Sequence, residues 1–114
     1  MCLSVSLAVL NHICPGSRFL FHWQFSITYV QGLANDLGPR VRVNCVSPGL
    51  TNTEMWSGLP AEKREGMLAG FGAKLPLKRA GESDDVGNAI AMLLCATYTT
   101  GLVFDVDGGA AIRE

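Results

Sequence analysis

The chain has 114 residues with a formal net charge of -1, and 48% of its residues are apolar. This length suits one compact domain and is too short for two. Nine basic residues against ten acidic ones, without a basic run, provide no electrostatic surface for nucleic acid or an anionic membrane, so we expect neither partner. Thirteen glycines exceed the usual share and indicate a fold with many tight turns.

The four cysteines show no C-x-x-C spacing and form no zinc-finger pattern with the two histidines. We therefore expect no metal site and no disulfide framework. Buried free thiols in a reducing compartment fit the pattern, which predicts a cytoplasmic location. The cysteines are Cys2, Cys14, Cys45 and Cys95.

Residues 1–26 differ from the rest of the chain, because Arg18 is the only charged residue among them. The apolar run 3–10 has neither the cationic start nor the small-residue cleavage site of a signal peptide. Residues 19–30 are too few and too polar for a membrane span. We interpret 1–26 as an atypical segment, a buried strand plus a buried loop, that precedes a domain over 27–114.

Residues 27–46 predict a helix followed by a strand. Apolar residues recur at helical spacing over 27–37, which predicts about three turns that Gly38 and Pro39 end. Residues 41–46 are rich in β-branched side chains and predict a strand. Ser47, Pro48 and Gly49 close that strand with a sharp turn.

The second part of the chain predicts a long connection, a helix and a strand. Residues 51–80 read as an irregular binding loop or lid, with one or two helical turns near 61–68. Ser83 is the expected N-cap of a helix that runs to about Cys95. Residues 102–106 predict a strand, which the turn 107–109 closes.

The order helix, strand, loop, helix, strand indicates parallel strands joined by a right-handed crossover, and hence an open α/β sheet. Ligands of such sheets bind at the carboxyl ends of the strands. The turns at 47–49 and 107–109 both follow a predicted strand, so we expect them to lie at this edge.

Four segments in this order resemble the second half of short-chain dehydrogenases/reductases. They read LANDLGP, RVNCVSPG, LKRAGESDDV and TGLVFDVDGG, over residues 33–39, 42–49, 77–86 and 100–109. The resemblance implies α/β architecture, as the C-terminal part of a Rossmann-like doubly wound parallel sheet that is incomplete in this chain. It covers residues 27–111.

The resemblance also implies a function. The family comprises NAD(P)-dependent oxidoreductases that interconvert alcohols and ketones with NAD or NADP, and we expect this chain to be a truncated member that is not catalytic alone. The alternative is a non-enzymatic fragment or association module. Because the family's helix at 27–37 and strand at 102–106 contribute to subunit contacts, such a module could pair with full-length relatives or with itself.

By resemblance, the turn P-G-x-x-x-T lies against the nicotinamide of the cofactor. Here the cofactor-binding residues would be Pro48, Gly49, Leu50, Thr51 and Thr53, with Thr51 offering backbone groups and Thr53 its hydroxyl. A glycine permits close backbone approach, and the planar carboxamide needs both a donor and an acceptor to fix which face of the ring is presented. An ordinary strand-ending turn is the alternative interpretation.

The catalytic residues of the family do not match this chain. Counting back in the family register puts the catalytic tyrosine at Phe19 and the lysine at Trp23, and neither side chain can transfer a proton. No lysine precedes Lys63. Ser6 stands where the family's catalytic serine is expected, and the alternative interpretation is a polar residue at the end of a buried strand.

The dinucleotide turn T-G-x-x-x-G-x-G is also missing from its expected place. Residues 66–72 reproduce its glycine spacing with Gly66, Gly70 and Gly72. We interpret this match as a coincidence, because a charged run rather than a strand precedes it and the segment falls in the family's substrate loop.

Overall fold

The computed structural model describes residues 3–8 and 18–112, with side chains from residue 27 to residue 112. Within this part of the chain, the predicted α/β class is confirmed. Three parallel strands form one sheet in the order β1-β2-β5, and two short parallel strands, β3 and β4, form a second. The elements are β1 (Leu3–Ala8), α1 (Arg18–Leu37), β2 (Val41–Pro48), β3 (Thr51–Asn52), a 3-10 turn (Glu54–Trp56), α2 (Ala61–Gly72), β4 (Gly81–Glu82), α3 (Ser83–Cys95) and β5 (Val103–Val106).

Helix α1 is longer than the periodicity predicts. It has 20 residues and begins at Arg18, so residues 18–26 are helical and the expected loop is wrong there. Val30 and Ala34 of α1 are buried against Val43 and Cys45 of β2. The helix ends where predicted, with the Gly38 N–H donating to the carbonyl of Ala34.

Strand β2 lies between β1 and β5, and its six inner residues are all buried. Such a continuous buried run is typical of a parallel strand with helices on both faces. Val43 and Cys45 contact α1, while Val46 packs with Ala89 and Leu93 of α3. The core therefore has two halves, one on each face of this strand.

Two buried polar residues of β2 fix the end of α3 and the turn that follows it. The Asn44 side chain accepts the Leu102 N–H and donates to the Thr99 carbonyl. The Arg42 guanidinium donates to the carbonyls of Ala96 at 2.7 Å and Leu94 at 2.8 Å, and also to those of Leu93 and Thr99. A positive charge at a helix C-terminus is favourable, so Arg42 stabilises the last turn of α3.

Helix α3 ends at Cys95 as predicted, but its N-cap is Glu82 and not Ser83. The Glu82 N–H donates to the carboxylate of Asp85 at 2.8 Å. A carboxylate in the first turn that accepts the N-cap amide is one half of a capping box. The Ser83 hydroxyl instead donates to the carbonyl of Asn52.

The connection 51–80 is more regular than expected. It contains the 12-residue helix α2, which continues through Gly66 and Gly70 instead of ending near residue 68. Gly72 closes the helix in contact with the next segment, since a Cβ there would lie 2.6 Å from the Ala80 nitrogen. The glycine spacing at 66–72 is therefore helical and does not form a strand-to-helix turn.

The cysteines fit the prediction in part. The thiol of Cys45 is buried as expected, whereas the thiol of Cys95 is exposed, which corrects the expectation for that residue. Cys2 and Cys14 lie outside the described residues. Over 3–8 and 18–112, no helix has the length and apolar character needed to cross a membrane.

Candidate functional site

The turns after β2 and β5 meet at the carboxyl edge of the sheet, as predicted. Pro48 and Val106 form the last residue pair of the two strands. Beyond it, the Gly49 N–H donates to the carbonyl of Val106 at 3.0 Å. The two turns thus leave the sheet side by side.

Gly49 is in close contact with the second turn. A Cβ at this position would lie 2.6 Å from the Asp107 Cα and 2.8 Å from its Cβ. The first atom belongs to the backbone and cannot rotate away, so this position requires glycine. In this structure Gly49 makes a close backbone approach to Asp107, and its approach to a nicotinamide stays a prediction.

The Asp107 carboxylate holds the second turn in shape. Its two oxygens accept the N–H groups of Gly109 and Ala111, each at 2.8 Å. Gly108 and Gly109 both have positive φ, at 65° and 90°. The Leu77 N–H donates to the Gly108 carbonyl, so the segment before β4 is tied to this turn as well.

Thr51 is held from three directions. It pairs with Gly81 across the small parallel sheet, where the Gly81 N–H donates to the carbonyl of Leu50 at 2.9 Å. The Thr51 hydroxyl donates to the carbonyl of Gly49 at 3.0 Å. The Trp56 indole N–H donates to the carbonyl of Thr51 at 2.9 Å. Trp56 is not predictable as part of this site, because no local pattern in the sequence indicates its contact with Thr51.

Thr53 stands at the start of the 3-10 turn. Its backbone is extended, with φ -135° and ψ 168°, and its hydroxyl makes no capping hydrogen bond to the turn. The residue is half-buried.

A cleft of about 520 Å³ lies beside β5, lined by residues of α3, of β5 and of both turns. Met92, Phe104 and Leu77 supply apolar lining. At its rim, the Arg79 guanidinium donates to both carboxylate oxygens of Asp85, at 2.7 and 2.9 Å. This hydrogen bonding, together with the Glu82 N–H, lowers the pKa of Asp85 to about 2.

The expected catalytic positions lie in the part of the chain where the structure gives the backbone only. Ser6 is in β1, two residues before its end, and pairs with Asn44. Pro48 lies four residues beyond Asn44 along β2. At the usual rise of ~3.3 Å per residue, the backbone of Ser6 is therefore level with a point about 13 Å before the turn at Pro48. Phe19 and Trp23 lie in the first two turns of α1. Their side chains lie outside the described residues, so all three assignments stay predictions.

Comparison with known proteins gives a consistent result. Residues 26–111 match a family model described as enoyl-(acyl carrier protein) reductase. The chain is 41% identical over 99 residues to a 3alpha-hydroxysteroid dehydrogenase of Mediterraneibacter gnavus. It is 33% identical over 84 residues to a 3-oxoacyl-(acyl-carrier-protein) reductase of Pseudomonas aeruginosa. These matches cover 84% and 71% of the chain.

Solved structures share the fold. A small-chain dehydrogenase in complex with NADPH superposes with a TM-score of 0.79 at 32% identity, over 93% of this chain. The ligand-free aldohexose dehydrogenase of Thermoplasma acidophilum gives a TM-score of 0.79 at 25% identity, over 97% of this chain. The chain spans only part of each relative: 36% of the hydroxysteroid dehydrogenase, 32% of the oxoacyl reductase and 50% of the NADPH-bound structure.

Proposed function

The chain belongs to the short-chain dehydrogenase/reductase family, and we propose that it forms the nicotinamide-facing part of an NAD(P)-dependent oxidoreductase acting on an alcohol or ketone. Within that proposal, residues 27–114 correspond to the C-terminal half of the family's Rossmann domain. The cofactor is NAD or NADP, and the cytoplasm is the proposed location.

The observation that carries this proposal is the rigid turn at the carboxyl edge of the sheet. Residues 48–53 follow the central strand, and backbone contacts to Asp107 and Gly81 fix their course. In an open parallel sheet this edge is where ligands bind. A turn whose shape is set by its own chain is suited to orient a planar ring, because binding then costs little additional ordering.

The residues of this turn fit a carboxamide chemically. The ring carboxamide presents one carbonyl acceptor and an NH₂ donor. Thr51 supplies a backbone carbonyl to accept from the NH₂ group, and Thr53 supplies a hydroxyl that does not cap its own turn. When bound, the nicotinamide would exchange a hydride with the substrate carbon. Pro48 and Leu50 complete the turn, and Gly49 permits its contact with Asp107.

Proton transfer is the step for which the expected positions carry unsuitable side chains. Phe19 and Trp23 occupy the positions expected for the family's tyrosine and lysine, and neither side chain exchanges protons near neutral pH. We therefore propose binding of the nicotinamide without independent turnover. Ser6 is retained as the proposed counterpart of the catalytic serine.

Nicotinamide mononucleotide tests this proposal directly, because it carries the ring without requiring a dinucleotide turn. Titration into the ¹⁵N-labelled chain is expected to shift the amide signals of Thr51 and Thr53. Thr53→Val removes the hydroxyl and keeps the shape, and should weaken binding about fivefold, the equivalent of one hydrogen bond of ~1 kcal/mol. Thr97→Val, at an exposed position after α3, is the matched control. Unchanged signals at the turn with mononucleotide and with NADPH would refute the proposal.

Association with another subunit is a second candidate function, supported by the apolar cleft beside β5. Among the described strands, β5 lies at the edge of the three-stranded sheet. Met92 is 49% exposed and Leu77 is 65% exposed, and both line the cleft with Phe104. Exposed apolar surface next to a strand edge is typical of a protein interface. The partner would be a second copy or a full-length relative.

Sedimentation velocity of the chain, alone and mixed with a full-length relative, tests this association. Met92→Lys is expected to weaken it at least tenfold, because burying an unpaired ammonium is costly. Lys74→Met is a charge control outside the cleft. The control should associate as the unsubstituted chain does. If Met92→Lys also sediments like the unsubstituted chain at every concentration, the cleft is not an interface.

A further inference from the structure

We propose that Trp56 is a positioning residue for the nicotinamide site, which it controls through the carbonyl of Thr51. The inference rests on the proposed function, since it concerns the same turn. The indole N–H of Trp56 donates to the Thr51 carbonyl at 2.9 Å. Trp56 itself belongs to the 3-10 turn, five residues further along the chain.

The direction of the Thr51 carbonyl follows from the pairing of β3 with β4. The carbonyl of Leu50 points to β4, where it accepts the Gly81 N–H at 2.9 Å. Successive carbonyls of an extended strand point in opposite directions, so the carbonyl of Thr51 points away from β4. The indole of Trp56 meets it on that side.

A carbonyl oxygen has two lone pairs, so one indole donor leaves a second acceptor position. The NH₂ group of a carboxamide can use that position without displacing Trp56. The indole contributes by fixing the direction of the carbonyl before the ligand arrives, so binding requires less ordering. The hydroxyl of Thr51, donating to Gly49, restrains the same residue from its side chain.

Trp56 also connects two segments with different roles. Its amide N–H donates to the carbonyl of Thr53 at 3.2 Å, and its carbonyl accepts the N–H of Leu59 at 3.0 Å. The indole thus joins the 3-10 turn and the segment leading to α2 to the turn at 48–53. A displacement of that segment would move the indole donor and, with it, the acceptor offered to the nicotinamide.

The test follows the Trp56 indole N–H in NMR spectra of the full chain. In the unsubstituted chain, its signal should exchange slowly with solvent and should shift when nicotinamide mononucleotide is added. A purely structural hydrogen bond would leave the affinity for the mononucleotide unchanged when the indole N–H is removed. Trp56→Phe identifies the signal by its loss, and should weaken mononucleotide binding about fivefold. Ser57→Ala, an exposed position next to the same turn, is the matched control and should bind as the unsubstituted chain does.

The outcomes separate the two proposals. If the mononucleotide shifts no signal in the unsubstituted chain, both the nicotinamide site and the role of Trp56 are refuted. If it binds and shifts the turn, but the indole signal does not move and Trp56→Phe binds equally well, only the role of Trp56 is refuted. The indole shift is measured in the unsubstituted chain, so the test holds even where Trp56→Phe does not fold.

Discussion

Replacing Gly49 by alanine should destabilise the fold and distort the candidate site together. The added Cβ would lie 2.6 Å from the Asp107 Cα, against an ordinary contact of 3.4 to 4 Å, so the two turns must separate by about 1 Å. The same movement would stretch the 3.0 Å hydrogen bond from the Gly49 N–H to Val106 beyond its useful range. The lost bond costs ~1 kcal/mol and the overpacking ~1–2 kcal/mol, which gives a total of about 2–3 kcal/mol.

Urea and thermal unfolding measure this cost. For a chain of this size, about 2–3 kcal/mol corresponds to a fall in Tm of roughly 10 °C or more. Gly87→Ala is the matched control, because a Cβ at this helical position meets nothing within 4 Å. That change should leave the fold as stable or stabilise it by ~0.5–1 kcal/mol. If the free energy of unfolding of Gly49→Ala lies within ~0.5 kcal/mol of that of the unsubstituted chain, the contact with Asp107 does not restrict this turn.

Two further predictions concern charged groups. Arg42→Met should reduce the free energy of unfolding by about 3 kcal/mol, because four backbone carbonyls at 2.7 to 3.3 Å lose a charged donor. The matched control Lys63→Met, at an exposed position of α2, should change it little, and equal urea midpoints for the two variants would contradict this. The pKa of Asp85 is lowered to about 2 by the hydrogen bonds from Arg79 and the Glu82 N–H, so the stability from this carboxylate is complete above pH ~4 and is lost as the pH falls towards 2. Asp85→Asn should remove that part of the acid dependence in pH-dependent thermal unfolding, and an unchanged profile would exclude this carboxylate as its source.

Local patterns in the sequence predicted most of the fold that positions the site. The β-branched run predicted β2, and Gly38 and Pro39 predicted the end of α1. Both signals act over a few neighbouring residues, so the sequence alone is enough to predict their effect. The turns at the ends of β2 and β5 followed from the rule that parallel strands share a carboxyl edge. Their contact through Gly49 and Asp107 gives that prediction a physical basis.

The length of α2 depended on contacts that the sequence pattern does not reveal. Each glycine inside a helix costs up to ~1 kcal/mol relative to alanine, so Gly66, Gly70 and Gly72 favour an early end. The helix nevertheless continues to Gly72, where the absent side chain lets the backbone of Ala80 approach. Tertiary packing outweighed local propensity because the glycine that weakens the helix also permits this contact.

The polar contacts of Arg42 and Trp56 were unpredictable for a related reason. Arg42 meets carbonyls more than 50 residues away, and its side chain gives no sign in the sequence of where it is directed. The bond from Trp56 to Thr51 spans five residues, but it depends on a 3-10 turn that no periodicity indicates. In both cases the acceptor is a backbone carbonyl. Because every residue carries one, the identity of the acceptor residue does not indicate that it will receive this hydrogen bond.

Three contacts hold the turn at 48–53 in shape. All three contacts join residues between 49 and 107 of the described chain. They are the contacts of Gly49 with Asp107, of Gly81 with Leu50 and of Trp56 with Thr51. The shape of the turn at 48–53 is therefore maintained by contacts within this part of the chain. In the proposed function, binding of the nicotinamide ring and proton transfer to its substrate are separable, because the second would depend on α1 positions that Phe19 and Trp23 are predicted to fill. The proposal therefore predicts ring binding without turnover, and measuring mononucleotide binding beside ketone reduction tests the two separately.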